Sequence, residues 1–331
     1  MKYRIRLARP DETLPALELA KRVFEEFTPP GYVPDPSGSF AERITSSENI
    51  EKYSSGKNLM FIAEDNGKII GMVNERDGCH ISKLFVDRKY HRQGVATRLM
   101  ERIVCELKLR GVNRITLNSS QYALPFYEKF GFHKTENEQN KHGMNVTPMA
   151  YEPKEIWDLL DADGNKTGEY VERGRNPPDG CYFLVVHVWK YNSRGEWLID
   201  KRSARGMDID GKWETTGGAA IAGDDSKTAA LREAREELGI DLDPENGILF
   251  RRLTHKWKEG HGCFTDVWVF KTDLPVEAVH LQKEEACDAM WTTAGKIREM
   301  MDSGEFIPKR LYPYFDEMTE KFTGQIRNTD N

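Results

Sequence analysis

At 331 residues the chain is long for one domain, and two are expected. A hydrophobic content of 38% with 10% aromatics suffices for folded cores, and a net charge of −6 excludes a general affinity for nucleic acid or an anionic membrane. No apolar run approaches a transmembrane length, the first residues lack the apolar core of a signal peptide, and five scattered cysteines without a CxxC read as reduced thiols, so a cytoplasmic protein is expected.

Residues 3–7 alternate and predict a strand. Residues 12–27 predict a helix, with apolar side chains at Leu14, Leu17, Leu19, Val23 and Phe27. A loop rich in Pro and Gly, 28–39, and a helix near 40–44 follow. Strands at 59–64 and 68–74 flank Asn66-Gly67, a strong hairpin signal. Residues 80–87 form a third strand. The turn His91-Arg92-Gln93-Gly94-Val95-Ala96-Thr97 then opens an amphipathic helix that runs to about Leu109, with Leu99, Ile103 and Leu107 in the core. A glycine-containing turn that opens a helix aims several backbone N–H groups at one spot. The helix dipole favours an anion there, and a pyrophosphate fits. A strand at 114–118, a helix at 122–130 and strands at 132–135 and 142–151 complete this half.

This order of elements resembles the GNAT superfamily of N-acetyltransferases over about residues 1–152. The family motif, Q/R-x-x-G-x-G/A, binds the pyrophosphate of acetyl-CoA. Gly94 and Ala96 match it, while His91 holds the Q/R position with Arg92 beside it. The resemblance implies that Leu84-Phe85-Val86 pairs its backbone with the pantetheine arm, and that Asn118 contacts that arm. Ala123-Leu124-Pro125-Phe126-Tyr127-Glu128-Lys129-Phe130-Gly131-Phe132 resembles the family's second landmark, which assigns Tyr127 the role of general acid for the leaving thiolate. The general base stays open among Glu75, Asp77 and His80.

Pro153 marks the break between the halves. Residues 155–161 and 166–173 predict a hairpin around Asp163-Gly164-Asn165. A calcium loop is excluded there, because its sixth position is Lys166 where glycine is needed. Strands follow at 181–191 and 196–203. Residues 217–240, GGAAIAGDDSKTAALREAREELGI, hold the chemistry of this half. Ser226 or Asp225 can cap a helix that Gly239 ends. On it Glu233, Glu236 and Glu237 share one face, and Arg232 can reach Glu236. Glu233 and Glu237 repel by a few tenths of a kcal/mol, roughly, as an i,i+4 like-charge pair. Such a cluster invites a divalent cation with oxygen ligands. Strands at 249–254, 266–271 and 289–292 and helices at 296–303 and 312–322 end the chain. His255, His261 and Cys263 match no standard zinc spacing and predict a polar loop.

The stretch resembles the signature of the Nudix hydrolases, G-x5-E-x7-R-E-U-x-E-E-x-G-U with U apolar. Gly218, Arg232, Glu233, Glu236, Glu237 and Gly239 match, and Asp224 replaces the first glutamate. The resemblance spans roughly residues 155–314. It implies Mg²⁺ or Mn²⁺ held by Glu233, Glu236, Glu237 and the Gly217 carbonyl, with Glu233 as an alternative base and Arg232 as a brace. The family often adds a later acidic residue, for which Glu285 fits best and Glu284 is the rival. The family's isopentenyl-diphosphate isomerases use a cysteine before the helix, and residues 213–223 contain none.

The expectation is a two-domain α/β (α+β) protein. Residues 1–152 form a GNAT-like mixed sheet with flanking helices, and residues 153–331 a Nudix α/β/α sandwich. The second would hydrolyse a nucleoside-diphosphate-linked pyrophosphate. The first would acetylate an amine from acetyl-CoA, or serve as a non-catalytic ligand-binding module. The expected partners are small molecules, with no nucleic acid polymer and no membrane.

Overall fold

The computed structural model describes residues 3–27, 32, 39–141, 143–204, 206, 208–257 and 260–323. The predicted loop at 28–39 lies outside the described residues apart from Tyr32 and Ser39, as does His142 of the last strand predicted for the first half. Contacts divide the chain into two units. One holds Met1–Ile156 with Tyr170–Gly174, the other Trp157–Glu169 with Arg175–Asn331.

The first unit runs β1 (Arg4–Leu7), α1 (Thr13–Glu26), α2 (Phe40–Ile44), α3 (Ser47–Ser54), β2 (Met60–Asp65), β3 (Lys68–Arg76), β4 (His80–Val86), α4 (Val95–Leu109), β5 (Ile115–Ser120), α5 (Leu124–Phe130), β6 (His133–Lys134), β7 (Gln139–Lys141) and β8 (Met144–Tyr151). Its sheet has the order β1-β2-β3-β4-β5-β8-β6, with β7 also on β8. The turn between β2 and β3 is set by Asn66 and Gly67, both at positive φ, as the primed hairpin turn requires. One face of the sheet packs α4 and α5 through Leu99, Ile103, Leu107 and Phe130. The other packs the first helices through Leu17, Ala20, Ile44 and Tyr53. Helix α3 is absent from the sequence reading. Its one start signal is Ser46, whose hydroxyl accepts from the Asn49 N–H.

The strand pair β4–β5 is parallel and short. It holds only at His80↔Thr116 and Ile81↔Leu117. Beyond Ile81, that edge of β4 has no strand partner among the described residues.

The second sheet is built from β9 (Ile156–Leu160), β10 (Lys166–Glu172), β11 (Tyr182–Tyr191), β12 (Glu196–Arg202), β13 (Trp213–Glu214), β14 (Gly217–Ala219), β15 (Gly247–Lys256), β16 (Gly262–Lys271) and β17 (Ala286–Thr293), with Ile156 and the Tyr170–Glu172 end of β10 counted in the first unit. Helix α6 (Ser226–Leu238) lies between β14 and β15, and α7 (Ala294–Ser303) and α8 (Phe315–Thr323) close the chain. The long β11 pairs in parallel with β16 from Tyr182↔Gly262 to Tyr191↔Lys271. Side chains alternate along it, as the strand period demands. Val186 and Val188 meet Ala230, Ala234 and Leu238 of α6. Trp189 meets Met300, Phe315 and Met318 of α7 and α8. One helix on one face and two on the other make an α/β/α sandwich.

The turn at 161–165 is closed by Asp161, whose carboxylate accepts from the Asp163 and Asn165 N–H groups at 2.9 Å each. His255 and Cys263 are ladder partners of β15 and β16 rather than loop residues. They belong to no metal-holding group among the described residues.

Candidate functional site

In the second unit, α6 begins where Asp225, not Ser226, caps it, accepting from the Thr228 N–H at 2.7 Å. Gly239 ends it at φ 63°. The helix rests on β14, which pairs with β11 through Gly217↔His187 and Gly218↔Val186. Space demands glycine at 217, where backbone crowds it, while at 218 a Cβ would displace the end of the Glu233 side chain. A Cβ on Gly217 would lie 2.4 Å from the Val186 carbonyl oxygen, and one on Gly218 would lie 2.5 Å from the Glu233 carboxyl carbon. The Thr216 carbonyl accepts from Val188 N–H, and Ala220 N–H donates to the Leu184 carbonyl. Antiparallel ladders alternate, so the Gly217 carbonyl turns away from β11.

Arg232 organises the helix face. Its guanidinium reaches Asp224 at 3.0 Å, Glu233 at 2.9 Å and Glu236 at 2.8 Å, and donates to the Ala219 carbonyl at 3.0 Å. Asp224, the departure from the family pattern, still meets this arginine. Glu236 is exposed and Glu233 buried. Glu237 keeps some solvent-facing surface. Even so, burial is the largest of the effects that push its carboxyl well above the usual range, followed by the charges of Asp200, Glu233 and Glu214 and opposed by Lys190. Glu285 is half-buried just before β17, its backbone carbonyl accepting from the Ser203 N–H at 2.9 Å. Glu284 is exposed.

Three participants escape the sequence reading: Lys190, Asp200 and Thr216. Lys190 Nζ donates to the Thr216 hydroxyl at 2.7 Å, and that hydroxyl donates to Asp200 Oδ1 at 2.9 Å. All three side chains are buried. Burial brings Lys190 down to about 8 and raises Asp200. The signal in the sequence is a lysine and an aspartate on apolar strands, in phase with Val186, Val188 and Leu198 on the α6 face.

As the side chains stand, no three His, Cys, Asp or Glu among the described residues form a metal-holding group. Arg232 engages Glu233 and Glu236 instead. The donor chemistry nevertheless fits a hard divalent cation. It is all oxygen, and its negative charge is concentrated enough to hold Glu237 toward its protonated form.

In the first unit, Gly94 takes φ 80° as the N-cap of α4, so Val95, Ala96 and Thr97 supply the first turn of the helix. The Tyr3 hydroxyl donates to the Gln93 carbonyl at 3.3 Å, and the Gln93 amide donates to the Lys89 carbonyl at 2.8 Å. Arg92 sits at φ 59°. The His91 ring hydrogen-bonds through Nε2 to the Val86 carbonyl at 2.8 Å and stacks on Phe27. Asp87 N–H donates to the Ile70 carbonyl, which places the Phe85 backbone toward β3 and those of Leu84 and Val86 toward the open edge of β4.

Tyr127 is buried against Phe126 and Phe132, and burial pushes its phenol well above its ordinary value. Among the three candidate bases, Glu75 is engaged by backbone. It accepts from the Leu59 N–H at 2.9 Å and the Gly78 N–H at 3.0 Å. Asp77 is an exposed turn residue at φ 59°. His80 is half-buried where β4 and β5 part. Its Nδ1 meets the Thr116 hydroxyl at 2.8 Å and its Nε2 the Asn118 amide at 3.4 Å, while Lys141 donates to Asn118 Oδ1 at 3.2 Å. The open β4 edge and the α4 start together fit an extended ligand with a pyrophosphate.

Residues 28–153 match the family profile described as acetyltransferase (GNAT) domain, and residues 182–315 that of the NUDIX domain. The chain is 36% identical over 155 residues to an uncharacterised Nudix hydrolase of Listeria monocytogenes, an alignment covering 46% of this chain and 89% of the relative. It is 35% identical over 157 residues to Nudix hydrolase 3 of Arabidopsis thaliana, covering 45% and 20% respectively. It is 22% identical over 147 residues to an isopentenyl-diphosphate Delta-isomerase of Escherichia coli, covering 44% and 80%. Among solved structures, a GCN5-related N-acetyltransferase from Rhodopseudomonas palustris aligns with a TM-score of 0.41 at 21% identity, covering 46% of this chain and 96% of that one.

Proposed function

Since the chain belongs to the Nudix hydrolase family through its second half and carries a GNAT acetyltransferase domain in its first, we propose that it is a bifunctional enzyme. The second half cleaves a nucleoside-diphosphate-linked pyrophosphate with Mg²⁺ or Mn²⁺, and the first acetylates an amine from acetyl-CoA. The observation that carries the hydrolase reading is the set of carboxylates pressed around Glu237 beneath α6.

A bound divalent cation would neutralise diphosphate oxygens and lower the pKa of a water ligand. Glu233, Glu236, Glu237 and the Gly217 carbonyl would hold it, with Glu285 as a further acidic ligand from the segment before β17. Arg232 keeps Glu233 and Glu236 oriented from one side. Glu233, pressed on Gly218, is alternatively the base that orients water.

In the first half, the N–H groups of residues 94–97 take the cofactor pyrophosphate at the α4 N-terminus. Leu84 and Val86 offer backbone groups to the pantetheine arm, next to Asn118. Tyr127, kept protonated by burial, gives its proton to the leaving thiolate. His80, neutral at pH 7, is the base that the geometry favours. A second reading, a ligand-binding module without catalysis, is favoured by one observation. The His91 ring is engaged by the Val86 carbonyl, which leaves the anion to backbone groups.

The test is a panel of nucleoside diphosphate derivatives incubated with Mg²⁺ or Mn²⁺, with product analysis. Cleavage within the diphosphate of at least one compound is expected. No turnover on any compound with either metal would overturn the hydrolase reading.

A further inference from the structure

Thr216 is pinned from every side. Its hydroxyl is held between the Lys190 ammonium at 2.7 Å and Asp200 Oδ1 at 2.9 Å. Its carbonyl accepts from the Val188 N–H at 2.8 Å. The preceding residue is fixed too, since the Thr215 hydroxyl donates to the Val188 carbonyl at 2.6 Å. Lys190 is fully buried and Asp200 2% exposed.

A lysine–threonine–aspartate chain inside a sheet costs desolvation that an apolar trio would avoid. What the polar chain adds is orientation. The residue after Thr216 is Gly217, which is itself confined by the Val186 carbonyl oxygen. With Thr216 locked, the entry into Gly217 has one orientation, and the β14–β11 ladder then aims the Gly217 carbonyl away from β11.

We propose that the buried Lys190–Thr216–Asp200 chain is a positioning device for the metal site. It holds the chain at Thr216, and with it the start of the Gly217 segment whose carbonyl is aimed at the cation. This inference rests on the reading of Gly217 and Glu237 as metal ligands. None of the three side chains needs to touch substrate. Their effect is on how well the ligand set is arranged before the cation arrives, as outer-shell hydrogen bonds act elsewhere.

The test measures Mn²⁺ binding to the full chain by electron paramagnetic resonance of the free ion, without substrate. T216V removes the hydroxyl at nearly constant shape, and T216S restores it. T216V should weaken Mn²⁺ binding by about tenfold or more, the usual cost of an outer-shell loss, and T216S should recover most of it. K190M should weaken binding in the same direction. E237Q is the control for the metal site itself. If E237Q loses Mn²⁺ affinity while T216V and K190M keep it, the positioning role is wrong. If E237Q also binds as wild type does, the metal-site reading fails and the inference falls with it. Should T216V not unfold cooperatively, T216A removes the same hydroxyl without placing a methyl between Lys190 and Asp200 and is read in the same way.

Discussion

Gly218 and Glu233 touch so closely that a methyl group on Gly218 would stand 2.5 Å from Glu233 Oε1 and 2.7 Å from Oε2. The glycine is thus a space requirement of the carboxylate, since nothing at its φ demands glycine. G218A must displace Glu233 or lift β14. A shift of this kind at a catalytic group can cost about 100-fold, and G218A should lose at least that in hydrolysis. Because the group displaced is the end of a flexible side chain, the unfolding temperature should fall little. Turnover and thermal unfolding together check this. A variant with wild-type turnover would mean that Glu233 has no fixed part in the site.

E237Q should remove nearly all hydrolase activity, because it deletes a ligand charge. Its effect on the metal-free fold should run the other way. The carboxyl is buried beside Asp200, Glu233 and Glu214, all of which disfavour its charge. A neutral amide relieves that repulsion, so the unfolding temperature without metal should equal or exceed that of wild type. Calorimetry in a chelator decides it. Wild-type-like turnover in the variant would sink the assignment.

How far the site was legible follows from where each residue lies. Glu233, Glu236, Glu237 and Arg232 sit on one helix, where fixed spacing places side chains on one face without tertiary knowledge. Lys190 and Asp200 lie on separate strands and meet Thr216 only through sheet pairing, so no local spacing announces them. Their one trace is charge inside apolar runs. The same limit hid the short α3, which rests on a Ser46 cap rather than a long apolar stripe. It also left Glu75, Asp77 and His80 equivalent until backbone hydrogen bonds engaged Glu75. The hairpin at Asn66-Gly67 and the Gly239 cap were readable because each residue meets a backbone demand at its own position, while the N-cap stayed open between Asp225 and Ser226.

Burial, then the charges of Arg76 and Lys141 against Asp77, hold His80 down to about 4. The folded state therefore keeps the ring neutral where the unfolded chain protonates it. Between the ordinary histidine value near 6.5 and the folded value, the unfolded state binds more protons, so stability is lost as pH falls through that window. H80Q should flatten this part of the stability curve. Imidazole NMR of the eight histidines should find the His80 ring still neutral at pH 5. A His80 midpoint near 6.5 would contradict the packing against Thr116 and Asn118.

Acetyl-CoA should stabilise the chain by linkage, about 2.7 kcal/mol at a hundredfold excess over its Kd. G94A should abolish most of the shift, since Gly94 holds φ 80° at the start of α4, a conformation an alanine adopts only with strain. The readout is the thermal shift at millimolar acetyl-CoA. No shift in the wild-type protein would count against a working cofactor site.

The last prediction concerns the independence of the two activities. Glu172 is 2% exposed, and its carboxylate accepts from the Tyr151 hydroxyl at 2.6 Å and the Lys154 N–H at 2.8 Å. Those contacts belong to the first unit, which takes in Tyr170–Gly174. Leaving these groups without their acceptor in E172A should cost about 1–3 kcal/mol, read as a lower unfolding temperature in the full chain. The hydrolase chemistry should not notice, because every residue proposed for it, from Lys190 to Glu285, belongs to the second unit while Glu172 belongs to the first. By the same reasoning, a fragment of residues 153–331 should hydrolyse at close to the full-length rate once folded. If the fragment folds but loses more than about tenfold, roughly 1.4 kcal/mol in the barrier, residues before Pro153 must complete the site and independence is wrong.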